Sequence, residues 1–304
     1  METILITGHS LTLEELAEVC RKDAQVALSF EAKQNILGSR QVVDTLVDEA
    51  AVVYGITTGF GKFSDVTITQ DECKQLQRNL IVTHAVGAGE PFSRDVARGI
   101  MLLRINNLAK GFSGTRLELV ETLVQMLNRG VTPVIPQKGS LGASGDLAPL
   151  SHMVLPMLGL GQAEYQGEVL PGAVAMERAG IPTIELVAKE GLALINGTQA
   201  MTSVGALAVY DAISLIKTAD VAAALSFEAN RGVEDALDPR VHAVRPHDGQ
   251  MKTASNLRKL LFESGNVTCQ GELRVQDGYS LRCVPQVHGA SSDAIAYVKS
   301  KVEI

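Results

Sequence analysis

Apolar residues recur at helical spacing along most of the chain, and short glycine-rich or polar stretches interrupt them. Thr12-Leu-Glu-Glu15 has the form of a capping box, in which a threonine and a glutamate three places on satisfy each other's backbone N–H, so a helix should start there. Within residues 32–51, Val42, Val43, Leu46 and Val47 share one helical face. A second capping box, Thr69 to Glu72, opens a helix through Leu76 and Leu80 that the glycines at 87 and 89 end. Ser93 begins another, with Val96, Ile100 and Leu103 on one side. Leu117, Val120, Leu123, Val124 and Leu127 form a further amphipathic helix, stopped by Gly130. Residues 201–229 are apolar on most faces, which predicts a fully buried bundle helix despite Asp211, Lys217 and Asp220. From Val287 the helical pattern returns through Ile295, Val298 and Val302.

Between these lie extended and irregular pieces. Ile4 to Ile6 reads as a short strand. Val131 to Pro136 should be extended, because residues before proline avoid the helical region. Residues 164–170 read as a hairpin or surface loop, 173–179 as a short helix, and 190–198 as a glycine-bounded loop leading into a helix. Residues 240–247 read as an irregular polar loop. The fold expected is mainly α: a small mixed N-terminal lobe over 1–110, then the first part of a long-helix bundle over 111–304. The last residues, Lys299 to Ile304, carry neither a C-cap nor a polar tail. The expectation is a chain cut in mid-helix, or one that another polypeptide continues.

Composition narrows the function classes. Hydrophobic residues are 46% of the chain and Trp is absent, so the core is built from Ala, Val, Leu and Ile, which suits close helix packing. The net charge of -7 comes without a basic stripe, which argues against nucleic acid or an anionic membrane as partner. Cys20, Cys73, Cys269 and Cys283 are scattered without metal-ligand spacing, and the first residues lack the basic n-region of an export signal. A cytoplasmic location and no metal are expected.

Five loops could carry chemistry: 54–63, 83–89, 140–146, 194–198 and 276–286. Each lies at a helix end, where free N–H groups and the positive dipole end favour negative charge. A phosphate-binding reading of Gly59-Phe-Gly-Lys62 fails, because Phe63 stands where Ser or Thr is needed. The stretch Gly139 to His152 admits two catalytic readings. A hydrolase with Ser144, His152 and Asp146 is weak: Gly-Ala-Ser-Gly is not a nucleophile elbow, and Asp146 and His152 point to different faces of one helix. The other reading uses the backbone of Ala143-Ser144-Gly145. The Gly145 nitrogen attacks the Ala143 carbonyl, loss of water closes a five-membered ring, and loss of the Ser144 hydroxyl leaves a methylidene. The product is a 4-methylidene-imidazol-5-one (MIO), an electrophile made from the chain alone. Glycine leaves the nitrogen unhindered, serine supplies the leaving group, and alanine is a small first residue.

At these residues the chain resembles the aromatic amino acid ammonia-lyases, most closely their histidine-specific branch. The resemblance rests on Tyr54-Gly-Ile-Thr-Thr-Gly-Phe-Gly61, Asn79-Leu-Ile-Val-Thr-His84, Gly142-Ala-Ser-Gly-Asp-Leu-Ala-Pro-Leu-Ser-His152, Glu190-Gly-Leu-Ala-Leu-Ile-Asn-Gly-Thr198 and Gln276-Asp-Gly-Tyr-Ser-Leu-Arg282, in family order. It implies an ammonia-lyase/fumarase-like helical core and an MIO prosthetic group formed from Ala143, Ser144 and Gly145, aided by Asp146, with no external cofactor. It implies Tyr54 as the base that takes the substrate β-proton and Arg282 as the partner of the substrate carboxylate. Asn196, Gln276 and Tyr279 are implied as hydrogen-bonding groups, and His84 as the contact to the substrate side chain.

Thr83-His84 is similar to the polar pair of the histidine-specific members, where phenylalanine users carry an apolar pair such as Phe-Leu and tyrosine users His-Leu. The reaction so implied turns L-histidine into trans-urocanate and ammonia. The alternatives are a phenylalanine or tyrosine ammonia-lyase or aminomutase of the same family and, from another class, an inactive truncated or partner subunit. The family resemblance also implies a homotetramer, or a complex with a chain supplying the C-terminal half.

Overall fold

A computed structural model describes residues 3–53, 55, 56, 58, 70–142 and 145–304. The chain is mainly helical and divides into two compact units, residues 1–207 and 208–304. The division falls inside a long helix and not near residue 110, because the helices on either side of residue 110 pack together in the first unit.

The first unit opens with β1 (Ile4–Ile6), α1 (Leu13–Lys22), β2 (Val26–Leu28) and α2 (Phe30–Asp48). β1 and β2 pair in parallel, Ile4 with Val26 through Ile6 with Leu28. The capping box of α1 forms as expected: the Thr12 hydroxyl accepts from Glu15 N, and Thr12 N donates to the Glu15 carboxylate at 2.9 Å. The second expected capping box begins at Thr69, outside the described residues; α3 is described over Gln70–His84. Next come β3 (Ala88–Pro91), α4 (Arg94–Ala109) and α5 (Leu117–Arg129). α4 is the axis of this unit. Ten of its sixteen residues are buried, and α1, α2 and α5 all pack on it. Two of those buried residues are arginines. Arg98 donates to the carbonyls of Val19 and Leu127, where α1 and α5 end.

The region read as extended becomes β4 (Thr132–Pro133) and β5 (Pro136–Lys138). β5 pairs antiparallel with β3, a strand that the glycines at 87 and 89 conceal in the sequence. α6 (Leu147–Val154) follows the loop at 139–146. β6 (Gln162–Tyr165) and β7 (Glu168–Pro171) form the expected hairpin, which extends β4. α7 (Gly172–Arg178) is the expected short helix.

The loop expected at 190–198 is a helix for most of its length, α8 (Glu190–Ile195). Two contacts explain the difference. The fully buried Glu190 carboxylate accepts from Arg116 and from Val187 N. Gly191 abuts α3, where its N–H donates to Gln77 Oε1 at 2.8 Å. A Cβ on Gly191 would lie 2.9 Å from the Gln77 carbonyl oxygen, so the glycine marks close helix approach and not a turn.

α9 (Gln199–Ala229) spans 31 residues. It is not fully buried: Leu215 and Leu225 are 67% and 63% exposed. In the second unit Ala224 and Phe227 of α9 pack with Leu257, Leu261 and Val284, which covers one side of the helix only. By length and apolar content the stretch Glu190–Ala229, which ends in α9, could cross a membrane. Its Asp220, however, is buried and accepts from His288 and Asn256, both at 2.9 Å, as in a packed helical core. The polar stretch at 240–247 holds a short helix, α10 (Pro239–Ala243), which Asp238 caps by accepting from Arg240 N. α11 (Asp248–Leu260), α12 (Tyr279–Arg282) and α13 (Val284–Val302) complete the unit. α13 starts three residues before the apolar pattern announces it, because Pro285 suits a first turn.

Candidate active site

In the first unit the chain folds back on itself at Gly139–Asp146. Leu141 N donates to the Gly145 carbonyl at 3.0 Å, and Gly145 N donates to the Gly142 carbonyl. A Cβ on Gly145 would lie 2.6 Å from Leu141 Cβ and 2.7 Å from the Gly142 oxygen, so only glycine fits. Ala143 and Ser144 lie outside the described residues, as does Tyr54.

Asp146 closes the loop and is fully buried. It stands at the N-cap of α6, yet its carboxylate does not cap that helix. Ser140 Oγ donates to one oxygen. The other accepts from Ala200 N at 2.8 Å and Met201 N at 3.0 Å, in the first turn of α9. A buried carboxylate is stable only when its lone pairs are filled in this way. The starts of α6 and α9 therefore meet at one residue.

Asn196 follows α8, and its side chain donates to the Leu192 carbonyl at 3.2 Å. Its own carbonyl accepts from Arg104 of α4 at 2.7 Å. Burial pushes the Arg104 guanidinium down to about 10, with Asp146 pulling the other way, so it stays charged near neutrality. Sequence patterning counts Arg104 only as a polar residue beside a helical face; no spacing singles it out.

His84 ends α3 and is half-buried. Its Nδ1 lies 2.8 Å from the Leu80 carbonyl. A carbonyl only accepts, so Nδ1 carries a proton, and Nε2 is the ring nitrogen left for another partner. Past His84, Gly87 N donates to His152 Nε2 at 3.1 Å. His152 is thus committed to holding this turn, and burial lowers its pKa. With Asp146 bound to α9 and His152 to Gly87, the two cannot serve a serine nucleophile together.

The remaining sequence-marked residues sit in the second unit. Asp277 is buried, accepting from Val233 N at 2.6 Å and from Arg274 Nε at 2.5 Å. Arg274 also donates to the Asn230 and Arg231 carbonyls. This anchor fixes the segment that carries Gln276 and Tyr279, both exposed. The Arg282 guanidinium lies 4.3 Å from the centre of the Tyr279 ring, and its Nε is buried without a hydrogen-bond partner among the described residues. Gln276 and Arg282 line a cavity of about 310 Å³ together with Asp235, Gln270 and Gln286. Among the described residues no group of three or more His, Cys, Asp or Glu is placed to hold a metal ion.

Comparison with known proteins gives this arrangement its family. A model of the aromatic amino acid lyases matches residues 11–304. The chain is 62% identical over its full length to the histidine ammonia-lyase of Clostridium tetani, of which it covers 59%. It is 60% identical to that of Alkaliphilus oremlandii, again over its full length and 60% of that protein. The crystal structure of histidine ammonia-lyase from Trypanosoma cruzi superposes with a TM-score of 0.89 at 39% identity, over all of this chain and 57% of that one. Tyrosine aminomutase from Streptomyces globisporus superposes with a TM-score of 0.93 at 35% identity, over 99% and 61%. The chain thus spans about six tenths of the length of the relatives it matches.

Proposed function

The chain belongs to the aromatic amino acid lyase family, and from that premise we propose that it forms part of a cytoplasmic enzyme that eliminates ammonia from L-histidine to give trans-urocanate. The single observation that supports this best is the loop closed by Asp146. It has a glycine where a Cβ is excluded, a buried carboxylate, and two helix starts meeting at that carboxylate. Those surroundings fit an MIO group derived from Ala143, Ser144 and Gly145. Gly145 folds back toward the Gly142 carbonyl with no side chain in the way, and the helix N-termini favour negative charge nearby. Once formed, the group supplies an electrophilic carbon that makes the substrate amine a leaving group.

The chain's own residues do the rest. Asp146 keeps the loop pinned to the first turn of α9. Asn196, Gln276 and Tyr279 orient the reactants by hydrogen bonds. The Arg282 guanidinium grips the substrate carboxylate through its fork of donors. Tyr54 removes the substrate β-proton at its phenolate oxygen; a tyrosine near its ordinary pKa of ~10 needs a positive surrounding to do so near neutrality. With Nδ1 engaged by the Leu80 carbonyl, His84 offers Nε2 as a polar partner, which suits a substrate imidazole better than a bare phenyl ring. Identities of 62% and 60% to proteins named histidine ammonia-lyase support the same substrate. The functional form proposed is a homotetramer. The length that this chain does not span in its relatives would come from the same polypeptide or from a second one.

The test is to offer the assembled native enzyme L-histidine, L-phenylalanine and L-tyrosine separately and follow ammonia and the absorbance of the unsaturated acid. Urocanate from histidine alone supports the reading. Deamination or amino-group migration on phenylalanine or tyrosine, without urocanate, overturns the substrate.

A further inference from the structure

The turn between α8 and α9 is gripped at both ends by buried charges from other elements. On the amide side stands Asp146, whose carboxylate accepts from Ala200 N and Met201 N. On the carbonyl side stands Arg104 of α4, 1% exposed. Its Nη1 donates to the Ala193 carbonyl at 3.0 Å and to Asn107 Oδ1 at 3.2 Å. Its Nη2 donates to the Asn196 carbonyl at 2.7 Å and to Gln199 Oε1 at 2.6 Å.

All four acceptors are neutral, and three of them belong to residues 193–199. Placing a desolvated guanidinium there is expensive; among the described residues no carboxylate accepts from it, and Asp146 offsets the burial only through space. What it gains is geometric. The carbonyls at the end of a helix lack intrahelical partners, and Arg104 satisfies two at the end of α8 with one rigid fork. Gly197 completes the fit: a Cβ there would overlap Arg104 Nη2 and Gln199 Oε1. One residue flanked by these grips, Asn196, has a proposed role toward the substrate.

We propose that Arg104 is a positioning residue: it acts through Asn196, fixing that residue and the first turn of α9 so that both stand ready for the reaction. This rests on the ammonia-lyase reading for its effect on turnover, but not for its effect on the turn itself. Lysine in place of Arg104 keeps the charge and cannot reproduce the fork.

The experiment is a double-mutant cycle of Arg104→Lys and Asn196→Ala in the assembled native enzyme, read by kcat, KM, melting temperature and amide hydrogen exchange. Misplacement on the ångström scale reduces turnover about 10²-fold. Arg104→Lys alone should therefore lower kcat by about that factor, with KM changed far less. In the Asn196→Ala background it should change kcat by less than about 2-fold. The fall in melting temperature should be the same in both backgrounds. Exchange at Ala200 and Met201 should quicken by about 10-fold in Arg104→Lys. Gln199→Leu loosens the same fork without removing the charge, and serves the cycle if Arg104→Lys does not fold. An equal loss of kcat in both backgrounds, or unchanged exchange at Ala200 and Met201, overturns the proposal. If the parent enzyme deaminates no aromatic amino acid, the lyase reading fails, and hydrogen exchange alone decides whether Arg104 holds the turn.

Discussion

The loop at 139–146 and the segment at 276–282 both carry residues marked for chemistry, and they are held in opposite ways. In the first, the reactive tripeptide ends in a glycine with no room for a Cβ, and it is followed by a fully buried carboxylate with three donors and a helix start tied to another helix start. In the second, Gln276 and Tyr279 are exposed, and only their neighbour Asp277 is locked down. The difference follows from what each must do. A backbone cyclisation needs its atoms pressed together before any substrate arrives, so its surroundings are built within one unit. Groups that receive a substrate must stay open to solvent until it binds. Changes in the first region should therefore damage folding and chemistry together, and changes in the second should damage binding alone.

The largest effect expected is from Asp146→Ala. It leaves Ala200 N and Met201 N without their acceptor, the first of them buried, and takes from Arg104 the carboxylate that offsets its burial. Buried charge-assisted bonds of this kind are worth about 1.5–3 kcal/mol each, so with two of them lost denaturant melts should show a loss of about 3–6 kcal/mol. The 143–145 peptide should stay unmodified. Next comes Gly145→Ala, whose methyl has nowhere to go. Overpacking of this sort costs about 1–3 kcal/mol, again with no ring formed. Normal ring formation in either variant would break the comparison from the first side.

Arg282→Ala tests the second side. Stability should move by no more than about 1 kcal/mol, because the half-buried Arg282 loses a cation–π contact with Tyr279 worth about 0.5–1 kcal/mol. KM should rise by at least ~30-fold, because truncating one member of a charge pair typically forfeits 2 kcal/mol or more of binding. A large drop in melting temperature with unchanged KM would make Arg282 a structural residue and erase the contrast.

The smallest effect is one of pH. Burial holds the folded-state pKa of His152 below its ordinary 6.5, and its neutral Nε2 accepts from Gly87 N. The unfolded chain thus binds the proton more readily than the folded one. The contribution of His152 is fully present above about pH 6.5 and is lost as pH falls from there through the folded value. His242 in the second unit is shifted the same way by burial. Urea midpoints between about pH 8 and 5 should fall with acid in the parent and fall less in His152→Gln; an identical slope would show that His152 does not contribute.

Much of this was legible in the sequence. The capping box of α1, the amphipathic faces of α4 and α5, and the small-residue loop before α6 were all local patterns, and local patterns survive folding. Three features were not legible, for related reasons. Gly191 looked like a turn because glycine often is one; that it abuts Gln77 of α3 is a fact about distant residues. The apolar composition of α9 implied burial on every side, but composition does not say which neighbours supply it. Arg104 carries no motif at all, and its meaning arises only when α4 meets the end of α8. The family resemblance singled out Asp146 and Asn196 as residues; the grips that hold them became visible only in three dimensions.

The proposed conversion of Ala143, Ser144 and Gly145 into an electrophile takes place in surroundings that the first unit builds. It is tested most directly by the mass of the peptide spanning Gly142 to Asp146, digested from natively purified protein. The mass expected is lower by two waters than the sequence requires, and that difference is lost in Gly145→Ala. A parent peptide carrying its full unmodified mass would contradict it.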